Sequence, residues 1–96
     1  MAKYRLTNAA DTDIDRLFVF GVETFGLPKA ETYITGLYDQ LDTLAENPGR
    51  YPLVEHIHSG LHRCVYRSHS IYYRIHPDEV VILRILGRED PKIQLQ

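Results

Sequence analysis

The sequence predicts an α+β domain in which a helical hairpin lies on one face of a small, mainly antiparallel sheet, in the order β-α-α-β-β-β. Three observations lead there. Between Ile14 and Ala45 apolar residues recur at three- and four-residue steps, broken only around Gly26 and Pro28, which is helical periodicity with one interruption. From residue 61 onward the pattern becomes β-rich, with alternation of period two. The links between those later runs are only about four residues of turn-forming chemistry, and links so short make neighbouring strands antiparallel.

Taken in order, Tyr4 to Thr7 read as a short strand with alternating sides. Asn8 reads as a helix N-cap, with Asp11 at the third helical position and Asp13 and Asp15 behind it, suiting the positive end of a helix. Ile14, Leu17, Phe18, Gly21, Val22 and Phe25 form one stripe, and Gly26 stops it. Pro28 fits the first turn of a second helix. That helix carries Ala30, Tyr33, Ile34, Leu37, Leu41, Leu44 and Ala45 on one face, and Asn47-Pro48-Gly49 ends it because proline cannot continue the hydrogen-bond ladder. Residues 49–60 read as a loop. Leu61–Tyr66, Ile71–His76 and Val80–Leu86 read as strands, separated by turns at residues 67–70 and 76–79. The last run is apolar on both sides, with Val80, Ile82 and Leu86 set against Val81, Leu83 and Ile85; it is expected at the centre of the sheet. Glu89–Gln96 is a polar tail.

At 96 residues the chain is expected to be one domain, 1–96. A hydrophobic content of 44% with 25% charged residues speaks against disorder. The net charge of −2 gives no global attraction to nucleic acid, so direct nucleic-acid binding is not expected. The charge is uneven: residues 1–59 hold nine acids against five bases, a net −4, and residues 60–96 hold six bases against four acids, a net +2. Cys64 is the sole cysteine, which excludes an internal disulfide. With no apolar run suited to a signal peptide or a membrane span, a cytoplasmic protein is expected.

RNA cleavage without a metal needs a base, an acid and a cation for the developing charge. "RSHSIYYRI", residues 67–75, holds the right residue types: histidine titrates near neutrality, and arginine is a permanent phosphate clamp. Tyr72, Arg74 and His76 share one face of that strand and Ile71, Tyr73 and Ile75 the other. Alternation alone explains the pattern as the solvent side of a sheet, and that reading is preferred to a catalytic one. His56, His58 and His62 raise a metal question, but no CxxC or HExxH accompanies them, so no metal site is expected. No phosphate-cradling glycine-rich loop is present, and no cofactor is expected.

The order of elements, together with "YRLTNAADTDID", "LAENPGRYP", Gly60-Leu61-His62-Arg63, His69-Ser70-Ile71-Tyr72-Tyr73-Arg74 and "VVILRILGRED", resembles the RelE/ParE toxins of bacterial toxin–antitoxin pairs, and ParE most closely. The resemblance covers nearly the whole chain. It departs at Gly87, where the family usually has a histidine, and at His62, where an arginine is common. It implies the β-α-α-β-β-β fold, an antitoxin that wraps and neutralises the toxin, and, for ParE-like members, poisoning of DNA gyrase without catalysis. RelE-like members instead cut mRNA on the ribosome, using basic residues and a Tyr or His near the sheet and C-terminus. Here that end, "LGREDPKIQLQ", offers Arg88 and Lys92 but neither Tyr nor His, which favours ParE. Arg84, Arg88 and Lys92 are the expected target contacts. The rival endoribonuclease would use Arg74, Arg84 and Arg88 with His69 or His76.

Overall fold

The computed structural model describes residues 3–87. Its elements are β1 (Tyr4–Leu6), α1 (Asn8–Phe25), α2 (Leu27–Glu46), a single 3-10 turn at Pro48–Arg50, β2 (His62–Tyr66), β3 (His69–Ile75) and β4 (Val80–Leu86). This is the predicted order. The sheet runs β1-β4-β3-β2, with β1 parallel to β4 and the other two pairs antiparallel. β4 therefore lies inside the sheet, as its two apolar faces require.

The cap of α1 falls one residue earlier than the sequence suggested. Thr7, not Asn8, is the N-cap: its hydroxyl oxygen accepts from the Ala10 N–H at 3.1 Å and donates to the Leu83 carbonyl at 2.9 Å. The same hydroxyl thus starts the helix and ties that start to β4. One residue, Gly26, joins the two helices with φ +90°, a left-handed conformation that glycine adopts at no steric cost. Its N–H bonds back to Val22 and its carbonyl accepts from Ala30.

Ala10, Ile14, Leu37, Leu41 and Leu44 of the hairpin pack on Cys64, Ile71, Tyr73, Val80, Ile82 and Ile85 of the sheet. Ile82 and Ile85 are an odd number of residues apart, so strict alternation would place them on opposite faces. Both are in this core because the register slips: Tyr72 pairs with Arg84 while Tyr73 pairs with Ile82, leaving Leu83 as the extra residue of a bulge. Leu86, expected beside Val80 and Ile82, consequently joins the opposite side. There it packs with Val54, Leu61, Tyr72, Ile57 and Leu83. The loop before β2 folds under the sheet to make this second, smaller core, held by Val54 N–H to the Leu61 carbonyl at 2.7 Å. The polar face expected at Tyr72 is therefore a covered one, and Tyr72 is buried.

The turn between β2 and β3 is Arg67-Ser68 alone, and β3 starts at His69, two residues earlier than its expected beginning. No described helix is long and apolar enough to cross a membrane.

Candidate functional site

Arg84 projects from β4 toward α1, where it meets Asp13. Its Nε and Nη2 donate to the two carboxylate oxygens of Asp13 at 2.7 Å each. The Ile85 N–H adds a bond of 2.9 Å and Arg16 Nη2 one of 2.6 Å. Asp13 is only 4% exposed. Burial alone would raise its pKa, but the bonds from Arg84, the Ile85 amide and Arg16 outweigh it and hold the carboxyl below its ordinary value. The three acids of the first turns thus have different roles: Asp11 and Asp15 are exposed, and Asp13 is an internal anchor. The sequence held a sign of this. Asp13 sits among Ala10, Ile14 and Leu17 at three- and four-residue steps, so it occupies the buried stripe.

Arg74 and His76 do not converge with this pair, whereas His69 shares a small hollow with Asp13 and Arg16. Arg74 lies against the His58 ring and donates to the Ser59 carbonyl at 3.2 Å, on the loop before β2. His69, at the start of β3, has its Nδ1 hydrogen-bonded with the Tyr33 hydroxyl at 2.7 Å. His76 is exposed beyond the other end of β3. Seven residues of strand, at about 3.3 Å each, put His69 and His76 roughly 23 Å apart. Arg88 and Lys92 lie outside the described residues. His62 stacks on Tyr73 with ring centres 5.1 Å apart, and its Nδ1 lies 2.9 Å from the Tyr51 carbonyl oxygen. Among the described residues no group of three or more His, Cys, Asp or Glu is placed to hold a metal ion.

What the sequence did not signal is a groove. The apolar residues of α1 outrun the sheet: Phe20, beside the stripe, and Phe25, at its end, are 63% and 61% exposed. They border a half-open groove of about 480 Å³ that runs between the two helices and the β2–β3 turn. Its floor is low where the helices cross, because Gly21 has no side chain over Ala30; a Cβ there would come within 3.3 Å of the Ala30 Cβ. Its rim is polar, with Lys29, Arg67 and Ser68 beside the bonded pair of Tyr33 and His69. Gly87 leaves a smaller hollow of about 170 Å³ against His69 and Arg16. A second opening is the outer edge of β2. The segment before β2 bridges its start, with Leu53 paired to His62, while Val65 further along is exposed.

Residues 4–91 match the family model described as ParE toxin of type II toxin-antitoxin system, parDE. The chain is 31% identical over 86 residues to Toxin ParE1 of Caulobacter vibrioides, covering 90% of this chain and 88% of that protein. It is 24% identical over 86 residues to Toxin ParE1 of Mycobacterium tuberculosis, with 88% of each covered. Its fold superposes on a chain of the chromosomal ParDE TA system from P. aeruginosa with a TM-score of 0.81, at 22% identity, covering 93% of this chain and 98% of that one. The element order, the parallel β1–β4 pair and the match across 4–91 agree, and the chain belongs to the ParE toxin family of type II toxin–antitoxin systems.

Proposed function

We propose that this ParE-family toxin acts by binding a protein, with DNA gyrase as its target, and that a cognate antitoxin holds it inactive. The observation that carries this reading is the dispersal of the polar groups. Arg74 and His76, which a ribonuclease would have to gather with Arg84 and His69 around one phosphate, sit apart from them on the molecule, and Arg74, Arg84 and His69 are engaged by neighbours within the chain. A general base must come within about 3 Å of the proton it removes, and that geometry is not approached by such a set.

The antitoxin is assigned to the groove between α1, α2 and the β2–β3 turn, continuing along the open part of the β2 edge. Exposed apolar surface of this kind is the usual seat of an amphipathic partner helix, and an unpaired edge accepts an added strand. The solved relative described as a ParDE system supports a partner of this class. The target contact is assigned to Arg84, Arg88 and Lys92. Because the Arg84 side chain is only 14% exposed, its share in that contact is to anchor β4, just ahead of the other two residues.

The test is induction of the protein without an antitoxin, scoring growth, plasmid supercoiling and transcript integrity together. Growth arrest with altered supercoiling and intact transcripts is expected. Cleaved transcripts with unchanged supercoiling would establish the ribonuclease reading instead, and unimpaired growth would show that this member is no toxin.

A further inference from the structure

Two cations occupy places where local energetics disfavour them, and both line the same end of the groove. Arg67 is the first residue of the two-residue turn between β2 and β3 and has φ +53°. That is the left-handed region, which glycine enters freely and a branched or long side chain only under strain. Lys29 lies in the first turn of α2, which holds no acidic residue; a cation there opposes the helix dipole. Residues that violate local preference without an internal benefit are candidates for function. Among the described residues neither cation has a carboxylate partner. The Arg67 guanidinium lies over the Tyr66 ring, its carbon 5.8 Å from the ring centre. Together they line the apolar groove and the shallower hollow next to it, beside Pro28, Thr32 and Tyr33.

We propose that Lys29 and Arg67 select the occupant of the groove by charge, accepting an amphipathic helical segment that carries acidic residues at the end lying on the β2–β3 turn. This rests on the assignment of the groove to the antitoxin and specifies that partner's chemistry. The apolar strip of the segment covers Phe20, Gly21 and Ala30, and its carboxylates meet the two cations. Arginine offers a carboxylate two parallel N–H bonds, and partial desolvation at a groove rim strengthens both contacts relative to open water. Peptide is favoured over nucleic acid because the groove between the cations is lined by Leu17, Phe20, Phe25 and Ala30, which offer a phosphate backbone nothing. The outer face of α1 is net acidic, with Asp15 and Glu23 outnumbering Arg16 beside Val19 and Phe20. An acidic segment is therefore steered to the groove and away from that face.

The experiment selects binders for the wild-type protein from a displayed library of 16-residue peptides. Apolar residues are fixed at helical spacing and all other positions are randomised. Binders should lose affinity on the surface variant Phe20→Asp, and should be enriched in Asp and Glu toward one end. An acidic winner should bind at least about tenfold more tightly than its Gln version at low salt. Arg67→Gly and Lys29→Gln should each reduce that preference severalfold, while Arg67→Gly leaves thermal stability equal or higher because it relieves the turn. Binders that need Phe20 but show no acidic bias overturn the charge selection and leave the groove assignment standing. Absence of Phe20-dependent binders overturns both. A single-stranded RNA oligonucleotide that binds the wild type and is released by Arg67→Gly and Lys29→Gln also overturns the proposal.

Discussion

Asp13 is the residue on which most of the polar interior depends. A buried carboxylate is costly to desolvate, and its Coulomb gain offsets that cost only if its lone pairs are fully used. Here both oxygens are used, by Arg84, Arg16 and the Ile85 amide. Removing the acid leaves Arg84 without its carboxylate, so Asp13→Ala should lower unfolding free energy by about 3 kcal/mol, the lower end for breaking a buried pair because Arg84 keeps some solvent access. Arg84→Ala should cost less, about 2 kcal/mol, because Arg16 and the Ile85 N–H still serve the carboxylate. Urea unfolding of the two variants checks the ranking, and the reverse order would show that the arginine is the anchor. The pH dependence follows from the depressed pKa. The unfolded chain binds a proton near the ordinary value of 3.8, and the folded chain only at lower pH. The stabilisation is therefore complete above that value and is lost as pH falls through the folded pKa. Urea midpoints measured from pH 6 down to 2 should fall more steeply below about pH 4 in the wild type than in Asp13→Asn, which has no proton to take up there.

At the scale of elements, the packing of α2 on the sheet edge turns on Gly36. A methyl group at that position would collide with the Tyr66 hydroxyl, which is held in place by its bond of 2.9 Å to the Tyr33 carbonyl. Alanine is worth about 1 kcal/mol over glycine inside a helix, whereas forcing atoms into a filled contact costs about 1–3 kcal/mol. Gly36→Ala should accordingly destabilise by roughly 1–2 kcal/mol. In a Tyr66→Phe background, which lacks the colliding oxygen, the penalty should fall by more than half; a double-mutant cycle by thermal unfolding measures the difference. Much at this scale was legible in the sequence. The two stripes, the Gly26 break and the alternating runs are local patterns, and they returned the helices, the meander and the central β4. What escaped was decided by tertiary context. Thr7 rather than Asn8 caps α1 because the Leu83 carbonyl of β4 lies within reach of its hydroxyl. The bulge at Leu83 reverses the sides of Ile85 and Leu86, and no single residue there announces it. The groove was hidden because Phe20 and Phe25 belong to an apolar-rich helix whose C-terminal half the sheet does not cover. Asp13 alone gave a readable warning, as an acid placed on an apolar stripe.

For the molecule as a whole, Cys64 is a natural reporter of how the layers hold together. It is buried in the core between hairpin and sheet. Burial raises its pKa, and bonds from Gln40 and Tyr51 only partly offset that. A thiol reagent needs the thiolate in contact with solvent, so labelling requires the helices to leave the sheet. If that separation is the global unfolding of a domain with about 5 kcal/mol of stability, native labelling should be at least about a thousandfold slower than in the urea-unfolded chain. The same coupling ties this rate to the Asp13 anchor, which joins α1 to β4 away from Cys64. A loss of about 3 kcal/mol in Asp13→Ala should speed labelling by roughly a hundredfold, each ~1.4 kcal/mol being a factor of ten. A segment bound in the groove should slow it by a factor of one plus the ratio of its free concentration to its Kd, because it binds the folded state alone. Should Cys64 react quickly in the native wild type, or at a rate indifferent to Asp13→Ala, the hairpin would be opening locally over β2 while α1 stays clasped to β4. The groove between α1, α2 and the β2–β3 turn would then be a structure that forms and dissolves, and a partner seated there would hold the hairpin closed as well as cover it.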